Sequence, residues 1–164
     1  MFADGPCNMN KLRCDVMSDL EFTKILLVED NPADTRLFKE AFRESTFKNE
    51  FYSVRNSNEA TNFLNRQENY SNAPRPDLIL LDINLTRTDG FDILKKVKTT
   101  NKLKLIPVII ISASRDERDM LCAYEYHANA FIVKPSDFDS FVKFSDSLGD
   151  FWINWARLPG ELKI

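Results

Sequence analysis

A chain of 164 residues with 43% hydrophobic content has room for one core, since single domains run to roughly 100 to 200 residues. A net charge of −3 and a pI near 5.3 give no basic footprint, so nucleic acid is not an expected partner. No apolar stretch approaches the roughly 18 to 20 residues of a membrane span and the N-terminus has no hydrophobic signal core, so the expectation is a cytoplasmic protein without membrane attachment.

Residues 1–22 mix polar residues, glycine and proline with neither a strand nor a helix period, and read as a flexible leader. Ile25–Val28 reads as a buried strand, and Asn31-Pro32 begins a helix whose apolar positions Ala33, Leu37, Phe38, Ala41 and Phe42 follow a period of about 3.6. Phe51–Val54 is a second strand, followed by Ser57 as N-cap of a helix through Ala60, Phe63 and Leu64. QENYSNAPRP is a polar, proline-bearing loop, and Asp77–Leu81 is the third strand, running directly into Asp82. Gly90 opens a helix carrying Phe91, Ile93, Leu94 and Val97; Pro107 starts a fourth strand, Val108–Ile111. Arg115–Tyr126 is a helix, Ala130–Val133 the fifth strand, and Asp137 opens a last helix.

Strands alternating with helices imply a parallel sheet covered on both faces, because parallel strands need long crossovers and these are nearly always right-handed helices. The expected fold is therefore α/β, a flavodoxin-like doubly wound (βα)5 sheet of strand order 2-1-3-4-5 with an extended C-terminal helix. The expected organisation is a leader over 1–22, a globular part over 23–148 and a C-terminal extension over 149–164.

Four of the apolar runs end in residues that handle phosphate or a divalent metal: ILLV in Glu29-Asp30, LILL in Asp82, VIII in Ser112 and FIV in Lys134. In open α/β sheets ligands bind beyond the carboxyl ends of the strands, at the point where strand order reverses. Order 2-1-3-4-5 puts that point between the first and third strands, so Glu29, Asp30 and Asp82 are expected to converge. Clustered carboxylates repel unless a hard cation joins them, and an oxygen-rich site completed by water suits Mg2+. Asp82, at the centre, is a candidate nucleophile for phosphoryl transfer. Lys134 then supplies a point charge to the phosphoryl oxygens and Ser112 a hydroxyl donor, leaving positioning and electrostatics as the main catalytic contributions.

VEDN at 28–31, LLDINL at 80–85, Asp89-Gly90, PVIIISA at 107–113 and FIVKP at 131–135, five ordered motifs, resemble the receiver domain of two-component response regulators over roughly residues 24–145. The resemblance implies that Glu29 and Asp30 help hold Mg2+, that Asp82 is the phosphoacceptor, that the backbone carbonyl of Asn84 completes the protein ligands, and that Lys134 and Ser112 bind the phosphoryl group. It implies a switch in which Phe131 reorients as Ser112 moves toward the phosphate. It also implies a sensor histidine kinase as phosphodonor, and a downstream protein target or phosphotransfer protein as recipient of the signal. Such a protein promotes its own aspartyl phosphorylation and dephosphorylation without turning over a free substrate. Three positions bear on the detail: Thr86 stands where the family commonly has proline, and Asn84 and Ser114 occupy the positions that in the family tune phosphate lifetime.

Two other readings compete. A binding module indifferent to phosphate would tolerate loss of a site residue, yet Glu29, Asp30, Asp82, Ser112 and Lys134 are all present. A haloacid-dehalogenase-like phosphatase wants a second acid two residues after its aspartate, where this chain has Asn84. Cys7, Cys14 and Cys122 show no CxxC spacing and His127 is the single histidine, so neither a disulfide framework nor zinc is expected.

The last helix carries an apolar stripe, Phe138, Phe141, Val142, Ser145, Leu148, Trp152 and Trp155, that outlasts the domain. Up to about Leu148 the stripe is expected to pack against the sheet. Phe151, Trp152 and Trp155 fall beyond that length and are the candidate homodimer interface. The FW and LPG of this ending are similar to single-domain response regulators paired with cyanobacterial phytochrome kinases and to their archaeal relatives.

Overall fold

The computed structural model describes residues 22–86 and 89–159. The leader expected over 1–22 therefore lies outside the described residues except for Phe22, as does Gly160 of the LPG ending. Strands β1 (Thr23–Val28), β2 (Asn49–Val54), β3 (Leu78–Leu81), β4 (Val108–Ser112) and β5 (Ala130–Val133) alternate with helices α1 (Pro32–Glu44), α2 (Ser57–Asn65), α3 (Gly90–Thr99), α4 (Glu117–Glu125) and α5 (Phe138–Gly149). All neighbouring strands are parallel and the order is β2-β1-β3-β4-β5, as expected. Among the described residues no helix is long and apolar enough to cross a membrane.

The apolar runs are continuous because both faces of the sheet are covered, and alternation along each strand sorts their side chains between two cores. Leu26, Val28, Ile79, Leu81, Val108 and Ile110 share one cluster with Ala60 and Phe63 of α2, Ile93, Leu94 and Val97 of α3 and Ala123 of α4. Ile25, Leu27, Leu78, Leu80, Ile109 and Ile111 share the other with Phe38, Ala41 and Phe42 of α1 and Phe141 and Leu148 of α5. Phe38 meets Phe141 edge-on at 4.7 Å between ring centroids, a preferred aromatic geometry that ties α1 to α5.

Each helix starts at an Asn or Asp whose side chain accepts from a first-turn N–H: Asn31, Asn56, Asp89, Asp116 and Asp137. Two expected boundaries move for this reason. The cap of α2 is Asn56, not Ser57: Asn56 is extended and its Oδ1 takes the Glu59 N–H at 2.9 Å, which makes Ser57 the first helical residue. Likewise α4 starts at Glu117, after Asp116, instead of at Arg115. It ends before His127, which sits at φ 65° with its N–H on the Tyr124 carbonyl, so this histidine serves a helix terminus. The loop before β3 holds a short 3-10 turn at Glu68–Tyr70.

The last helix changes pitch: after Gly149 the chain runs on as a π-helical turn, Asp150–Trp155. Phe141, Ser145 and Leu148 are buried, whereas Phe138, at the N-terminal end of the stripe, is exposed. Trp152 packs against the α1/α5 core, while Phe151 and Trp155 remain 58% and 79% exposed.

Two glycines are fixed by close approach. A Cβ on Gly149 would lie 2.1 Å from the Phe47 ring, and one on Gly90 would lie 2.5 Å from both the Asp82 carbonyl oxygen and the Ile83 Cα. Gly149→Ala gains the usual helix propensity of about 1 kcal/mol but overpacks against Phe47, so urea unfolding should show a net loss of about 1–3 kcal/mol. Adding Phe47→Ala should make the pair markedly less than additive; strict additivity would contradict the contact. At Gly90 the obstacle is backbone, which yields less easily, so Gly90→Ala should shift the NMR amide signals of Asp82–Asn84 as well as lower stability. Unchanged signals there would mean that Gly90 does not set the turn after Asp82.

Candidate functional site

Sheet register brings the strand ends level. Val28 pairs with Leu81 across β1 and β3, so the next residues, Glu29 and Asp82, emerge side by side; Ser112 pairs with Val133, one residue before Lys134. Lys134 is held there by its own N–H, which donates to the Ser112 carbonyl at 2.8 Å. Its side chain then crosses the strand ends. Nζ donates to Glu29 Oε2 at 2.7 Å, to Asp82 Oδ2 at 2.7 Å and to Asp34 Oδ2 at 2.8 Å. An ammonium has three N–H donors, and all of them are used.

Glu29 and Asp82 are each fixed a second time by backbone. Glu29 Oε1 accepts the Asn31 N–H at 2.9 Å, and Asp82 Oδ1 accepts the Asn84 N–H at 2.8 Å. Asp30 turns the other way, its Oδ2 accepting the Thr86 N–H at 2.6 Å. Ser112 is fully buried, and its Oγ is 2.8 Å from Asn84 Nδ2 and 3.0 Å from the Ser114 N–H, which donates to it. Asn84 thus touches both Asp82 and Ser112, through its backbone and its side chain respectively. Phe131 is half-buried against the α2/α3/α4 core, and its N–H donates to Tyr124 Oη at 3.3 Å.

The electrostatics follow from depth and partners. Burial pushes the Glu29 carboxyl above the usual range, with Lys134 and the Asn31 N–H pulling it partly back. Burial opposes the charge on Lys134 too, but its bonds to Asp34, Asp82 and Glu29 outweigh this and hold it above an ordinary lysine. For Asp30 burial is the largest influence and acts upward, yet the hydrogen bonds from Thr86 and the backbone prevail and lower it.

Lys134 touches both Glu29 and Asp82, and Ser112 joins them through Asn84; Asp30, expected to converge with Glu29 and Asp82, stands at the rim facing Thr86. Asp34 was not anticipated. Its signal lay in VEDNPAD, an acid three residues after the Asn31 cap, in the first turn of a helix that begins at the same strand end.

The donor set fits a hard divalent cation by chemistry: carboxylate and carbonyl oxygens, few in number, with solvent access at Asp30. Among the described residues, no three acidic, thiol or imidazole groups stand arranged to hold a metal ion; the three carboxylates that converge do so on the Lys134 ammonium. The ammonium bridges Glu29 and Asp82, and Asp30 is engaged by the Thr86 N–H, so the carboxylates that would hold a cation all have partners of their own. An open depression of about 250 Å³ adjoins Glu29 and Asp30, with Arg36, Lys39 and Arg55 on its walls.

Comparison with known proteins agrees with this geometry. Residues 25–145 match the model of the response regulator receiver domain. The chain is 39% identical over 135 residues to response regulator Rcp1 of Synechocystis sp., covering 82% of this chain and 92% of Rcp1. It is 32% identical to the probable methanogenesis regulatory protein FilR2 of Methanothrix harundinacea, covering 83% of this chain and 87% of that protein. The crystal structure of the phosphorylated cyanobacterial phytochrome response regulator RcpA superposes with a TM-score of 0.79 at 41% identity, covering 85% of this chain and 99% of RcpA. The Mn2+-bound form of Rcp1 superposes with a TM-score of 0.76, covering 84% of this chain and 99% of that one. With the sheet order, the strand-end carboxylates and the lysine directly after β5 all in place, the chain belongs to the response regulator receiver domains of two-component signalling.

Proposed function

We propose that Asp82 accepts a phosphoryl group from the phosphohistidine of a sensor histidine kinase, with Mg2+ held by Glu29, Asp30, Asp82 and the backbone carbonyl of Asn84. The observation that carries this reading is Lys134 Nζ at 2.7 Å from Asp82 Oδ2, a cation fixed beside a nucleophile at the carboxyl ends of the strands. A carboxylate oxygen of Asp82 attacks phosphorus, the N–P bond of the donor breaks, and its electron pair stays on the imidazole nitrogen. When bound, the metal neutralises charge on the phosphoryl oxygens. Lys134 moves one of its N–H donors from a carboxylate to a phosphoryl oxygen, and Ser112 leaves Asn84 and Ser114 to donate its hydroxyl to another. That withdrawal frees space into which Phe131 turns, carrying the change to the surface near Tyr124. The phosphoryl group stays on the protein until water or a phosphotransfer protein removes it, so no free substrate is turned over. The signal passes by binding to a downstream target or by transfer to a phosphotransfer protein.

Support for the metal comes from the hard-oxygen donor set and from the Mn2+-bound structure of Rcp1. We further propose that the protein is a cytoplasmic homodimer whose contact includes Phe151 and Trp155. Exposed large aromatics of this kind are typical of interface cores, and Trp152, packed on the α1/α5 core, braces the turn that presents them.

Intact mass after incubation with acetyl phosphate and Mg2+ should show one phosphoryl adduct on the wild type and none on Asp82→Asn, and EDTA should abolish the wild-type adduct. Equal uptake by both proteins would show that the acceptor lies elsewhere. For the interface, Phe151→Ser combined with Trp155→Ser is cleaner than truncation at residue 150, which would also strip Trp152 from the core. Light scattering should register a shift from dimer toward monomer; an unchanged dimer would exclude these side chains from the contact.

A further inference from the structure

Asp34 has no part in the metal or phosphoryl assignments above, and its most ordinary role is already filled. An acid three residues after a helix cap commonly reaches back to the N–H of the cap residue. Here the Asn31 N–H donates to Glu29 Oε1 at 2.9 Å instead. The Asp34 carboxylate goes to Lys134 Nζ at 2.8 Å, with side-chain exposures of 24% and 11% for the acid and the lysine. Asp34 is carried on the first turn of α1, a helix anchored by the buried Phe38, Ala41 and Phe42 and capped by Asn31, so its position is set by the fold and not by Lys134.

The other two acceptors of the ammonium, Glu29 and Asp82, are the groups that metal binding and phosphoryl transfer draw on. Once they are engaged, Lys134 keeps one fixed partner. From this, and resting on the phosphoacceptor reading above, we infer that Asp34 is a positioning residue: it tethers the Lys134 ammonium beside Asp82 while Glu29 and Asp82 take up the metal and the phosphoryl group. The long lysine side chain has high rotamer freedom, and the tether keeps one of its donors aimed at the transferred group. Asp34 touches neither phosphorus nor the attacking oxygen.

The test compares full-length wild type with Asp34→Ala and Asp34→Asn, the latter keeping size and a neutral acceptor should the alanine variant be unstable. Three quantities are read: the limiting rate of phosphoryl uptake from acetyl phosphate at saturating Mg2+, the Mg2+ affinity by calorimetry, and the 15N ammonium NMR signal of Lys134 at saturating Mg2+, where Glu29 and Asp82 are engaged. In Asp34→Ala the limiting rate should fall about tenfold, the effect of losing one orienting charge-assisted hydrogen bond, with a smaller fall in Asp34→Asn. Mg2+ affinity should move by less than about fivefold, the range for a single partly solvated charge. The ammonium signal, protected from exchange in the wild type, should vanish in Asp34→Ala. A limiting rate equal to or above wild type would overturn the inference, since Asp34 would then be inert or a competitor for Lys134. An effect confined to Mg2+ affinity would overturn it equally, reducing Asp34 to a distant charge. If even the wild type takes up no phosphoryl group, the phosphoacceptor reading fails, and the ammonium signal alone decides the tether: its persistence in Asp34→Ala would refute it.

Discussion

Lys134 holds three carboxylates that would otherwise repel one another, and the strand ends depend on that contact. Glu29 of the β1 end, Asp82 of the β3 end and Asp34 of α1 all reach a single ammonium from the β5 end, within 2.7 to 2.8 Å. Buried carboxylates without a cation are costly, and breaking such a network from one side typically costs about 3–5 kcal/mol. The same arrangement suits the chemistry proposed for the site: the bonds from Lys134 to Glu29 and Asp82 are ones that a metal ion or a phosphoryl group would replace, while the bond to Asp34 would remain.

That network exists because parallel pairing fixes where strands end. Val28 opposite Leu81 and Ser112 opposite Val133 leave no freedom for Glu29, Asp82 and Lys134 to be out of step. A slip of one residue would send the apolar side chains to the opposite core as well as moving the carboxylates. The two cores, with α2, α3 and α4 on one side and α1 and α5 on the other, thereby protect the geometry of the site. Gly90 contributes at closest range, letting the start of α3 lie against the Asp82–Ile83 peptide.

The C-terminal turn shows burial and exposure divided within a few residues. Trp152 completes the α1/α5 core, while Phe151 and Trp155 project outward. A wider π-helical turn rotates successive side chains by less than an α-helical one, so the apolar stripe of α5 does not continue unbroken onto these residues. The aromatics that look alike in sequence therefore divide between packing and surface.

Much of this protein was legible in its sequence. Continuous apolar runs announced buried parallel strands, their alternation with helical periods gave the doubly wound order, and Glu29, Asp82, Ser112 and Lys134 were marked by standing directly after those runs. Such signals are local, and local patterning is what hydrophobic burial imposes on a chain. Tertiary structure decided what depends on distance between segments. It turned Asp30 toward Thr86, set Asn84 between Asp82 and Ser112, and separated Trp152 from Phe151 and Trp155. It also brought Asp34 to Lys134, 100 positions along the chain. No period or spacing encodes a contact of that range; it arises when the packing of α1 and the register of β5 fix both ends.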